Sequence, residues 1–159
     1  MASTSTNKQP LLVDRVLHYV VDLNTAAVAA IDVSGTNTAL LIVDGTQQDG
    51  AILEDIYSIS RATREDTINL YLSSASDYLR PNEGIFIGQF KSATTVGSKA
   101  HWDAMPTILA PVPHTGDASS TSGQFRALYV PKGKSLWAAR ESSNVVNDGP
   151  ILGCQGGWY

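Results

Sequence analysis

From residue 13 onward, short runs rich in Val, Ile, Leu and Tyr recur at roughly ten- to twenty-residue intervals, each closed by Gly, Asn, Asp or Ser. This rhythm constrains the fold more than any other feature of the chain. β-Branched and aromatic residues suit a pleated, half-buried surface, and Gly, Asn and Asp supply the backbone angles that tight turns demand. The runs are VDRVLHYVVDL (13–23), TALLIVDG (38–45), QDGAILEDIYSIS (48–60), DTINLYLSS (66–74), GIFIGQF (84–90), FRALYV (125–130), SLWAARE (135–141) and ILGCQGGWY (151–159). In DTINLYLSS, Ile68, Leu70 and Leu72 alternate with Asn69, Tyr71 and Ser73, a two-residue period with one apolar face.

The segments between the runs carry turn chemistry. RPNEG (80–84) sets Pro81 before Asn82 and Gly84, and PKGK (131–134) offers Gly133 for the positive φ of a type II turn, which predicts a hairpin between FRALYV and SLWAARE. Helix is confined to single turns at 63–66 or 99–105. KSATTVGSKAHWDAMP (91–106) and HTGDASSTSGQ (114–124) read as long loops. An all-β chain of 159 residues must close its sheet or stack two, because one open sheet leaves an apolar face wet. The expectation is one jelly-roll-like β-sandwich of about eight strands over 11–159, preceded by a flexible, Ser/Thr-rich arm at 1–10. The terminal run then completes a sheet, with Gly153, Gly156 and Gly157 permitting bends or close packing.

Composition narrows function mainly by exclusion. A formal charge of −4 with 11 scattered basic residues argues against a general nucleic-acid binder. The first ten residues lack the basic and apolar regions of a secretory signal, and AAVAAI (26–31) falls far short of the roughly 20 apolar residues of a membrane span. Cys154, the only cysteine, rules out an internal disulfide and a four-thiolate metal site.

Chemistry-bearing motifs are weak. GKS at 133–135 lacks the phosphate-loop glycine, whose position holds Leu128, and a strand follows it rather than a helix. His18, His101 and His114 are widely spaced; His18 reads as a strand residue and the other two as loop residues. Neither His101 with Asp103 nor His114 with Asp117 has a metal-ligand spacing. No Gly-x-Ser-x-Gly elbow is present. DGTQQDG (44–50) lacks the alternating acidic ligands of a calcium loop and reads as a turn capped by its own Asp side chains. RATRED (61–66) reads as a solvated edge with exposed ion pairs or as an intersubunit contact. Trp102 and Met105 in HWDAMP either fold onto the core or await a partner, and Trp158 and Tyr159 read as anchors of the last strand. These four are the candidate contact residues; no catalytic residue, metal or cofactor is expected.

GAILEDIYSISRATREDTINLYLSS (50–74), PKGKSLWAA (131–139) and GCQGGWY (153–159) follow an order and spacing that resembles small virion proteins of tailed bacteriophages. Trp158 stands where that pattern has an acidic residue. The resemblance, to capsid decoration or cement proteins and related head structural proteins, covers roughly half to two thirds of the chain. It implies a jelly-roll-like fold, a homotrimer, the major capsid protein as partner and a place on the outer capsid surface after assembly in the host cytoplasm. An acidic chain suits the exterior, away from packaged DNA. Two other classes stay open. One is a tail, baseplate or fibre module that stacks aromatics such as Trp102 on host-surface carbohydrate. The other is a polysaccharide hydrolase, which needs a carboxylate pair about 5 to 9.5 Å apart in a groove.

Overall fold

The computed structural model describes residues 15–23, 39–46, 49–74, 84–102, 127–141 and 148–158. The arm at 1–10 lies outside them. Nine strands run through the described residues: β1 Arg15–Asp22, β2 Leu40–Asp44, β3 Gly50–Ile59, β4 Thr67–Ser73, β5 Ile85–Lys91, β6 Lys99–His101, β7 Leu128–Pro131, β8 Ser135–Arg140 and β9 Ile151–Trp158. They form two antiparallel sheets. Sheet A has the order β1-β9-β3-β6, with β7 also pairing β3, and sheet B has the order β2-β8-β4-β5. The chain is therefore an all-β sandwich.

The pairs are nested: β1 meets β9, β2 meets β8, β3 meets β6 and β4 meets β5. Early strands wait for late ones, so the first and last of the described strands pair side by side along one edge of sheet A. β9 does complete a sheet, but from the inside, since all eight of its residues pair with β1 on one side and β3 on the other. Its glycines make that possible. A β-carbon at Gly156 would lie 1.9 Å from the Ile52 carbonyl oxygen, so only glycine fits this rung.

Between the sheets, Leu17, Leu53, Ile56, Leu128, Leu152 and Cys154 of sheet A meet Ile42, Val43, Leu136, Ala138, Ile68, Leu70 and Phe90 of sheet B. The alternation of β4 holds on that side. Its opposite face is covered as well: Tyr71 joins Trp137 and Ala139 in a second apolar cluster on the outside of sheet B. Tyr71 also meets Phe86 edge-on, with ring centroids 5.7 Å apart.

Three local expectations need correction. PKGK forms the expected turn, with Gly133 at φ 77° and the Lys134 N–H donating to the Pro131 carbonyl at 3.0 Å. It is not a hairpin: β7 joins β3 in sheet A while β8 joins β2 and β4 in sheet B, so the turn carries the chain across the sandwich. Residues 63–66 contain bends and no helical turn. Residues 99–101, expected as loop or helix, form β6 on the edge of β3, so His101 is a strand residue.

Candidate interaction surface

The outer face of sheet A gathers polar chemistry that the sequence scatters. Its position depends on a β-bulge. Ala51 and Leu53 point into the core; a register shift between Leu53 and Asp55, opposite Gly156 and Gln155, inserts the exposed Glu54. Because side chains alternate with period two, one extra residue exchanges the faces. Ile56 and Ser58 then point inward, and Asp55, Tyr57 and Ile59 point outward.

Tyr57 is the centre of this face. It sits opposite Gly153 on β9 and its ring lies down across that residue, where a β-carbon would be only 2.3 Å from Cζ. The ring is thereby 8% exposed although it is on the outside of the sheet. Its hydroxyl reaches His18 on β1, with Nε2 to Oη at 3.3 Å. On the other side His101 of β6 stands opposite Tyr57, ring centroids 6.1 Å apart, and its Nδ1 lies 2.9 Å from Asp55 Oδ1. Lys99 places its ammonium 4.7 Å from the Tyr57 ring centroid. Three strands, β1, β3 and β6, thus contribute one row of polar groups around one aromatic ring, and β9 supplies the glycine on which that ring lies. Among the described residues no three His, Cys, Asp or Glu side chains gather as a metal set.

At one edge of the same sheet, β1 exposes Val16 at 83% and Val20 at 49%. The edge of sheet B exposes Ile85 and Phe86. Together with Tyr19 of β1, exposed at 41%, these are the large apolar or aromatic side chains that stand out from the strands described, and both groups sit on strands at a sheet edge.

The residues singled out by sequence fall elsewhere. Trp102 is buried in the core, its indole packed across Gly88, where a β-carbon would meet Cζ2 at 2.4 Å. Its backbone N–H donates to the Ile56 carbonyl at 2.9 Å, which extends the β6–β3 register by one residue. Trp158 is half-buried and packs against the core from β9. Met105 and Tyr159 lie outside the described residues, as do Asp103, His114 and Asp117. The 44–46 turn is self-capped as expected: Asp44 Oδ1 accepts from the Thr46 backbone N–H at 3.0 Å, from the Thr46 hydroxyl at 2.5 Å and from Ser135 Oγ at 3.3 Å. The charged 61–66 segment finds partners in its own chain: Arg61 with Asp22, Arg64 with Asp66 and Asp148, and Glu65 with Lys91. The Glu65 carboxylate, through its hydrogen bond and charge, raises the Lys91 pKa above its ordinary value.

Sequence reasoning missed the Tyr57 row because its members come from β1, β3, β6 and β9 and meet only through cross-strand register. Simple alternation would set Tyr57 on the same face as the inward Ala51 and Leu53, and only the bulge at Glu54 turns it outward. The chain matches no family model, no curated protein and no solved structure.

Proposed function

We propose that the chain is a jelly-roll virion structural protein that decorates the outside of a tailed-phage head and stabilises its shell. The observation that carries this reading is the nested pairing of β1 with β9, β2 with β8, β3 with β6 and β4 with β5 across two sheets. Nested pairing across two stacked sheets supports a jelly-roll reading, the fold that the resemblance implies. The three stretches that carry the resemblance fall on β3 and β4, on the crossing turn with β8, and on β9. They are frame-forming segments, so the likeness speaks first for a shared framework, and the function lies in the surfaces that framework presents. A decoration protein works by burying surface on a shell, with the major capsid protein and further copies of itself, as a homotrimer, as its partners. Exposed apolar residues on two edge strands and a polar-aromatic outer face are surfaces of that kind.

The experiment is particle biochemistry. Virions should carry the protein in many copies, and particles lacking it should package DNA normally yet burst at lower temperature or under milder osmotic shock. A requirement for packaging itself would assign the chain to scaffold or portal work instead.

A second reading, a tail, baseplate or fibre module for host-surface carbohydrate, draws on one observation. Tyr57 flanked by His18, Asp55 and His101 is the mixture of ring and hydrogen-bonding groups that sugar recognition uses. A glycan-array signal from the isolated protein that disappears with Tyr57→Ala would favour it over the first.

A further inference from the structure

We infer that the outer face of sheet B holds a saccharide site: a groove over Ala139, between Trp137 and Glu141, in which the Trp137 indole N–H and the Asn69 side-chain oxygen take the hydroxyl groups of a neutral sugar. The site lies on the opposite side of the sandwich from Tyr57 and depends on neither reading above.

The register builds the groove. Outward side chains of β2, β8, β4 and β5 line up in rungs across the sheet. One rung is tall and apolar, with Leu41, Trp137, Tyr71 and Phe86 in succession. The next is low: Ala139 stands opposite Asn69, Gln89 lies beyond it, and Ala39 packs in the same cluster. The third is polar. In it the Glu141 backbone N–H donates to the Thr67 carbonyl at 2.9 Å, and Thr67 stands opposite Lys91. Four residues of β8 separate Trp137 from Glu141, about 13 Å along the strand, and the side chain between them on this face is one methyl group.

Two polar groups in this groove are unsatisfied. Buried side-chain atoms that lack a hydrogen-bond partner, counted among the described residues, include Trp137 Nε1 and Asn69 Oδ1. Trp137 is 2% exposed and Asn69 7%, and both border Ala139. Burial raises the Tyr71 pKa, a hydrogen bond from the Asn69 side chain works against that rise, and the Glu141 charge adds to it. The Asn69 amide N–H is thus engaged with Tyr71, and its oxygen is left over. The rim is open by contrast: Phe86 is 54% exposed, and Gln89 and Glu141 are exposed as well. A shielded floor with an unused donor and an unused acceptor, entered over an exposed aromatic rim, is the form of a small-molecule site.

The groups present select the ligand. An anion would suit the indole N–H but meet the Asn69 oxygen and the Glu141 carboxylate. A cation would suit those two and leave the indole N–H unpaired. A hydroxyl group accepts from the one and donates to the other with a single atom. Neighbouring hydroxyls then reach Glu141, Thr67 and Gln89, while the C–H face of a pyranose ring packs on the Tyr71–Phe86 wall, whose rings meet edge-on at 5.7 Å.

The test is NMR of the full-length, ¹⁵N-labelled protein, whose three indole N–H signals are assigned by substitution. Titration with neutral oligosaccharides of glucose, galactose, mannose and N-acetylglucosamine should move the Trp137 signal saturably with at least one of them, and leave those of Trp102 and Trp158 in place. Trp137→Phe keeps an aromatic ring and deletes an N–H that has no partner, so it should still melt cooperatively. Its affinity for that sugar should fall about three- to tenfold, the worth of one hydrogen bond. Glu141→Ala, on the exposed rim, should weaken binding without disturbing the fold, and Tyr57→Ala should leave binding unchanged. The proposal is overturned if no sugar moves the Trp137 signal, if triglycine moves it as the sugars do, or if Trp137→Phe binds as tightly as the wild type. Sugar binding that is lost in Tyr57→Ala and kept in Trp137→Phe would likewise overturn it, in favour of a site on sheet A.

Discussion

Tyr57 lies flat on sheet A because Gly153 beneath it has no side chain. A β-carbon added at Gly153 would lie 2.3 Å from Tyr57 Cζ, far inside van der Waals contact, so Gly153→Ala must lift the ring off the sheet. That breaks the 3.3 Å contact with His18 and exposes an otherwise covered aromatic. Overpacking of this kind costs about 1 to 3 kcal/mol. Tyr57→Ala in the same background should recover part of the loss, since the clash then has no partner; a double-mutant melting cycle measures this, and additive effects would contradict the account. Cys154 supplies a second residue-level expectation. Burial raises its thiol to about 12, whereas the unfolded chain releases that proton near the ordinary thiol value. Between these values the unfolded state binds fewer protons than the folded one, so stability must fall as pH rises, by up to about 1.4 kcal/mol per pH unit. Tyr71, also raised by burial, adds in the same direction at higher pH. Denaturant titrations of wild type and Cys154→Ala from pH 8 to 11 should diverge in slope above about pH 9. Below that the thiol contributes no slope.

At the scale of elements, the turn at 131–134 separates what local sequence determines from what it does not. Gly133 takes φ 77° with nothing within 4 Å of its missing β-carbon, so Gly133→Ala suffers from backbone conformation alone. The expected loss is about 1 to 2 kcal/mol, and Gly133→Asn should lose less, because Asn tolerates this region. Thermal melts of the two variants give the order. Turn chemistry was legible in PKGK because it involves only neighbours. The hairpin inferred from it was not correct, because the partner of each flanking strand is set by distant residues: β7 matches Gly50–Leu53 and β8 fits between β2 and β4. Gly45 and the turn also abut, the Gly133 N–H donating to the Gly45 carbonyl at 3.0 Å, which fixes where the chain crosses. β6 escaped notice for a related reason. Three residues, Lys-Ala-His, are too few to display a period, and they form a strand because β3 offers an edge there. The polar row on sheet A was hidden in the same way, since the bulge at Glu54 reverses which residues of β3 face out.

At the scale of the whole molecule the nested order makes the chain's end structurally central. Gly156, Gly157 and Trp158 sit opposite Leu17, Val16 and Arg15 on β1, and opposite Leu53, Ile52 and Ala51 on β3. Deleting 156–159 therefore removes rungs from both sides at once, cuts β1 loose along part of its length, and takes the half-buried Trp158 ring from the core. Truncating one buried aromatic costs about 3 to 5 kcal/mol by itself, against the roughly 5 to 15 kcal/mol that holds a domain folded. Trp158→Ala should thus fold with a lowered melting point, since every backbone rung remains. The four-residue truncation should be insoluble or lack a cooperative transition, because sheet A is divided where its first and last strands meet. Deleting Tyr159 alone measures that residue's share separately. Differential scanning calorimetry of the three proteins orders the effects, and a truncation that melts cooperatively near the wild-type temperature would show that β9 does not hold sheet A together.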